Sequence, residues 1–151
     1  MEIPVASRPA SFQSATISVR TRGTREFVDI TERVLDLLER SEITNGLAVV
    51  ASMHTTAAIV VNEHEPELLK DFYGFLTILA PENEEYAHNA VPCGPEEVPN
   101  AHSHCQALLL NTSESFPIIG GRLQLGRYQR IFLVELDHER SRTVSVAFLG
   151  S

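Results

Sequence analysis

The sequence predicts a single domain of the α+β class. The chain has 151 residues, enough for one core. It reads as about seven strand-like runs and about three amphipathic helical runs, and the helices are not regularly interleaved with the strands as a doubly wound sheet requires. Its last third carries strand and turn signals only.

Each element has its own signal. Residues 1–10 form a Pro-containing lead-in, and residues 11–151 form the domain. Phe12 to Arg20 alternates apolar and polar side chains, Glu26 to Ile30 does so again, and Gly23 between them suggests a hairpin. Thr31 is placed as the N-cap of a helix whose Val34, Leu35, Leu37 and Leu38 share a face, with Asn45-Gly46 as its stop. Leu47 to Met53 is dense enough in apolar residues for a strand buried on both faces. His54, Thr55 and Thr56 interrupt it, and Ala57 to Val61 resumes.

Pro66 suits the first turn of a helix through about Leu79, with Leu68, Leu69, Phe72, Phe75 and Leu76 as its inner stripe. Residues 81–99, rich in proline and acidic groups, make a long irregular segment of the kind that often carries function. Asn100 is placed as the cap of a helix over about Ala101 to Leu110. Pro117 to Leu125 around Gly120-Gly121 is a hairpin, and Arg130 to Leu136 and Arg142 to Leu149 are two more strands.

Composition narrows the function classes. A net charge of -8 with no basic stripe argues against nucleic acid as a partner. No apolar run is long enough to span a bilayer, and the start lacks a signal-peptide pattern, so a cytoplasmic protein is expected. Cys93 and Cys105 do not form a framework, and buried or free thiols are expected.

The histidines carry the chemistry. His54 closes a strand, His88 lies in the irregular segment, and His102 and His104 lie at a helix start. His54, His88 and His104 converging from these supports would hold a divalent ion, zinc or magnesium, with a coordination position left open. The rival use is anion binding by imidazoles, hydroxyls and helix N–H groups. His102 and His104 lie about 200° apart on a helix, so one of them is expected to face outward as a bystander. Glu63, at a strand end, is a candidate general base or partner to an imidazole, or else a helix cap. Asp71 reads as a surface charge. Among the late arginines, Arg140 in a strand-connecting turn is best placed to reach a cleft, and Gln129 either fixes a polar ligand or completes a turn.

Several of these residues stand in a pattern. His54-Thr-Thr-Ala-Ala-Ile-Val-Val-Asn-Glu63, Tyr86-Ala-His88, Asn100-Ala-His-Ser-His104, Gly121-Arg-Leu-Gln-Leu-Gly126-Arg-Tyr-Gln129 and Glu135-Leu-Asp137 resemble the YjbQ family. This is also called uncharacterised protein family 0047, or the secondary thiamine-phosphate synthase family. The resemblance runs from about Phe12 to the end. It implies a mixed β-sandwich assembling as a homotrimer, with the family's histidines on His54, His88 and His104. It also matches Glu63, Asp71, Gln129 and Arg140 to recurrent positions. Departures fall at Arg127-Tyr128, at His138-Glu139 in place of Gly-Pro, and at Cys105-Gln106.

The resulting expectation is a metal-assisted transferase acting on a small phosphorylated metabolite. Thiamine-phosphate formation from an aminopyrimidine diphosphate and a thiazole phosphate is its most specific form. His54, His88 and His104 would hold the metal, Glu63 and Arg140 would act in catalysis, and Thr55, Thr56, Gln129 and Arg140 would contact substrate. The alternatives are a metal-dependent hydrolase and a non-catalytic trimeric binding protein for a phosphorylated ligand or a metal ion.

Overall fold

Alternation decides the first strand. Residues 11–20 form β1 (Ser11–Arg20), with Ile17 and Val19 turned inward. The computed structural model describes residues 9–23, 25–92, 94–95 and 98–151, so most of the expected lead-in lies outside the described residues. After β1 come β2 (Phe27–Asp29), α1 (Thr31–Ser41), β3 (Asn45–Ser52), β4 (Ala57–Glu63) and α2 (Pro66–Leu79). A short 3-10 helix (Ala87–Ala90), α3 (Ala101–Leu109), β5 (Ser113–Ile119), β6 (Arg122–Leu123), β7 (Gln129–Glu135) and β8 (Ser141–Gly150) complete the order.

The strands form two sheets, of order β1-β8-β3-β5-β6 and β2-β7-β4, and every pairing is antiparallel. The expected hairpin between the first two strands does not form. β1 pairs with β8 over its whole length from Ser11 to Arg20, while β2 joins the other sheet beside β7. Arg25, with φ 59°, lies in the segment that crosses between them.

One core lies between the sheets. Ile17 and Val19 of β1, Ala48 and Val50 of β3, and Val144, Val146 and Phe148 of β8 meet Ile59 of β4 and Ile131 and Leu133 of β7, with Val34 and Leu38 of α1. A second cluster covers the other face of the small sheet, where Ala58, Phe132 and Val134 meet Leu76 of α2 and Ala107 of α3. The molecule is therefore layered, large sheet to small sheet to α2 and α3, with α1 contributing to the core between the sheets.

Four local expectations change. β3 buries one face only: Ala48 and Val50 are buried but Leu47 is 40% exposed. Asn45-Gly46 is no helix stop, because α1 ends at Ser41 with Glu42 at φ 58°. Gly46 instead faces Gly150 across β8, where a Cβ would stand 2.1 Å from the Leu149 carbonyl oxygen. Thr31 does not cap α1; the Asp29 carboxylate accepts the Thr31 N–H at 2.9 Å, while the Thr31 hydroxyl accepts the N–H of Ile131 at 2.8 Å. Of the expected α2 stripe only Leu76 is buried, and Phe75 is 59% exposed.

The expected start of α2 and the expected turn between β5 and β6 match the structure. Pro66 opens α2, and Gly120 and Gly121, at φ 59° and 73°, turn β5 into β6. Among the described residues no helix is long and apolar enough to cross a membrane.

Candidate active site

The inner row of β8 reads Arg142, Val144, Val146, Phe148, so alternation drives an arginine into the interior. A buried charge must be compensated. Glu135, at the end of β7 and wholly buried, does this: Arg142 Nε donates to Oε2 at 2.6 Å and Nη2 to Oε1. Nη2 also donates to the Thr56 hydroxyl at 3.0 Å. The carboxylate further accepts the Thr21 hydroxyl at 2.9 Å and the Asp137 N–H at 3.0 Å. This paired group forms a rigid floor where β4 begins and β7 ends.

His54 stands just past β3. The N–H of Thr143 donates to its Nε2 at 2.8 Å. An amide can only donate, so Nε2 carries no proton and the neutral ring bears its hydrogen on Nδ1. Burial holds the pKa below the ordinary histidine value; the charges of Arg142 and Arg140 push the same way, and Glu135 opposes them. His54 is thus a neutral ring offering a single N–H donor.

His88 comes from the 3-10 helix and His104 from α3. Their rings meet edge to face, with centroids 5.1 Å apart. The Asn89 side-chain Oδ1 accepts the Ala101 N–H at 3.0 Å and clips the irregular segment to the first turn of α3. Asn100, expected as the side-chain cap, does not perform that role.

These groups line one cavity of about 500 Å³. Its walls include His54, Thr55, Thr56, His88, His104, Arg140 and Arg142, with Met53, Val91 and Val98 on its apolar side. The backbone of Arg140 is pinned to Thr21 by hydrogen bonds of 2.8 and 2.9 Å, and its buried Nε has no partner among the described residues. The lining is rich in donors, and an oxyanion is the ligand such a wall recognises.

A model of the family described as "UPF0047 protein YjbQ-like" matches residues 15–151. The chain belongs to the YjbQ family. A UPF0047 protein of Methanothermobacter thermautotrophicus is 40% identical over 134 residues, covering 89% of this chain and 90% of that one. A YbjQ-like protein of Sulfolobus solfataricus superposes with a TM-score of 0.88 at 36% identity, covering 94% and 99% of the two chains. A protein of Aeropyrum pernix superposes at 0.85 with 37% identity, covering 92% and 99%.

Within this YjbQ-family fold the sequence candidates separate. His54, His88, His104, Thr55, Thr56 and Arg140 share the cavity. Glu63 and Gln129 do not: they face each other at the far end of the β4–β7 pair, six residues from Ala57 and Glu135, about 20 Å along the strands. Gln129 completes a turn there, its Oε1 accepting the Gly126 N–H at 2.7 Å. Glu63 does not cap α2; the Glu65 carboxylate does, accepting from Glu67 and Leu68. Asp71 is exposed, and Lys70 pairs with Glu67 instead.

The three-imidazole metal set does not fit this geometry. His54 has no lone pair to offer while Nε2 accepts from Thr143, and among the described residues no three His, Cys, Asp or Glu side chains are grouped to hold an ion. His102 is a bystander but not an outward one. It is buried against Ser103, whose hydroxyl donates to the Leu136 carbonyl at 2.6 Å. Cys105 is a free, exposed thiol, and Cys93 lies outside the described residues.

Arg142 and Glu135 were not picked out as site residues from the sequence. The signal was present: Arg142 occupies an inward register in an otherwise apolar row.

Proposed function

We propose that this protein is an enzyme acting on a small phosphorylated metabolite. Arg140, Arg142, the His54 Nδ1–H and the Thr55 hydroxyl bind phosphate oxygens, and His88 and His104 move protons at the reacting atoms. The observation that carries this reading is the Thr143 to His54 hydrogen bond of 2.8 Å, which makes His54 a donor beside two arginines. Donors held by backbone and buried carboxylates stabilise charge without reorganising when it develops.

The most specific form is the one the family resemblance implies. The phosphoester C–O bond of an aminopyrimidine methyl diphosphate breaks, a C–N bond forms to the nitrogen of a thiazole phosphate, and pyrophosphate departs. The arginines suit a departing diphosphate. We further propose a homotrimer. Phe75, Ile78 and Leu79 of α2 and Leu108 and Leu109 of α3 are exposed apolar side chains, and patches of this kind mark contact surfaces.

Product analysis by mass spectrometry, with the two substrates together and each alone, tests the reaction. Thiamine phosphate formed only from the pair supports the transferase; hydrolysis of one substrate alone sinks it in favour of a hydrolase. Saturable binding without turnover under any condition leaves a binding protein. The same assay with zinc, magnesium or a chelator tests the divalent cofactor, and sedimentation equilibrium tests the trimer.

A further inference from the structure

Asp137 is a buried carboxylate at the cavity wall that the roles above leave unused. Its Oδ1 accepts the His138 N–H at 3.0 Å and faces the His138 ring Nδ1 at 2.8 Å. Its Oδ2 accepts the Asn100 side-chain N–H at 2.9 Å and lies 3.1 Å from Arg140 Nη2. Two hydrogen bonds, a histidine ring and an ion pair thus surround one carboxylate, and its contacts are with the parts that carry the site.

Those parts come from distant stretches of chain. Asn100 immediately precedes α3, which carries His104, and Arg140 sits in the turn into β8. The Arg140 backbone is held by Thr21, but its guanidinium is aimed by Asp137. We infer that Asp137 is the positioning residue of this site, one carboxylate that locks the helix bearing His104 to the guanidinium of Arg140. Burial pushes the Asp137 pKa up, but hydrogen bonds from Asn100 and His138 and the charge of Arg140 bring it below the ordinary value, so the brace is present in its ionised form at neutral pH. His138 contributes its own ring to the brace.

This inference rests on the anion-binding reading, and the sign of one measurement separates positioning from simple electrostatics. Removing a negative charge beside Arg140 by Asp137→Asn raises the local positive potential, so charge alone predicts tighter binding of an anion. Positioning predicts the opposite. Calorimetric titration with inorganic phosphate should show affinity weakened by about tenfold or more in Asp137→Asn, which keeps shape and loses charge, and in Asp137→Glu, which keeps charge and moves it. Unchanged or tighter phosphate binding by a folded Asp137→Asn protein overturns the inference.

A second readout needs no ligand. In NMR spectra of the ligand-free protein, Asp137→Asn and the milder Asn100→Ala should both shift the Arg140 Nε–H and His104 ring signals; signals left in place in both variants overturn the proposal. Wild-type protein that ignores phosphate refutes the anion reading, and the NMR arm then decides the role of Asp137 alone.

Discussion

The two ends of the β4–β7 ladder each hold an acid, an arginine and a histidine, and they use them in opposite ways. At the cavity end, Glu135 and Arg142 are buried together, and His54, which lines the cavity, accepts a backbone N–H and keeps its other nitrogen as a donor. At the far end, Asp29 takes Arg130 Nε at 2.8 Å, the His64 ring nitrogen at 3.0 Å and the Thr31 N–H. There the histidine is tied to the carboxylate and packs edge to face on Phe132, and the arginine shares itself with exposed Glu32. The difference teaches what makes a site. Compensated charge in the interior leaves donors aimed at a space, whereas the same residue types at a solvent rim satisfy one another.

The sharpest break of this contrast is at Glu135. Glu135→Gln strands the buried Arg142 charge and should cost about 3–5 kcal/mol in urea unfolding, a large share of a domain's stability. The double change Glu135→Leu with Arg142→Met should recover most of that stability yet lose phosphate binding. A double variant that still binds phosphate as well as wild type removes Arg142 from the anion site.

His54 comes next. His54→Ala leaves the part-buried Thr143 N–H without its acceptor and should destabilise the fold by about 1–3 kcal/mol. His54→Gln supplies an oxygen acceptor and should cost less. Equal losses in the two variants would mean that the acceptor is not what His54 contributes to stability.

At the far rim the effects should be smaller. Arg130→Met, which removes a partly exposed partner of Asp29, should cost about 1 kcal/mol or less, with a salt dependence that the Glu135 variants lack. A loss comparable to that of Glu135→Gln would erase the distinction between the two ends.

The last effect is confined to acid pH. Burial raises the Asp29 pKa, but hydrogen bonds from Arg130, Thr31 and His64 outweigh it and bring it to about 2 from 3.8. The folded state therefore holds fewer protons than the unfolded chain in this range. The contribution of Asp29 is present above about pH 3.8 and is lost as pH falls towards 2. Thermal melts of Asp29→Asn should show a flatter acid limb across that window and no comparable change of slope at neutral pH.

Much of the architecture was legible because it rests on local rules. Period-two alternation marked β1, Pro66 marked the start of α2, and Gly120-Gly121 marked the two-residue turn of positive φ between β5 and β6. Partnering was not legible. A strand's alternation states which face is apolar but not which edge it joins, so β1 and β2 read as a hairpin until β8 offered β1 a longer ladder. Gly46 read as a stop for the same reason; its need for a bare Cα comes from Leu149 and Gly150, more than a hundred residues later.

The candidate site divides in the same way. Residue types and supports pointed to His54, His88, His104, Thr55, Thr56 and Arg140, which line one cavity, while Glu63 and Gln129 looked equally suitable and sit at the other end of the ladder. What the chain determines by itself is the list of elements and the chemistry each can carry, because propensity and periodicity act between near neighbours. Which nitrogen of His54 is free, which acid neutralises Arg142 and which carboxylate aims Arg140 were decided only in three dimensions, because hydrogen bonds and burial depend on groups that folding brings together from opposite ends of the sequence.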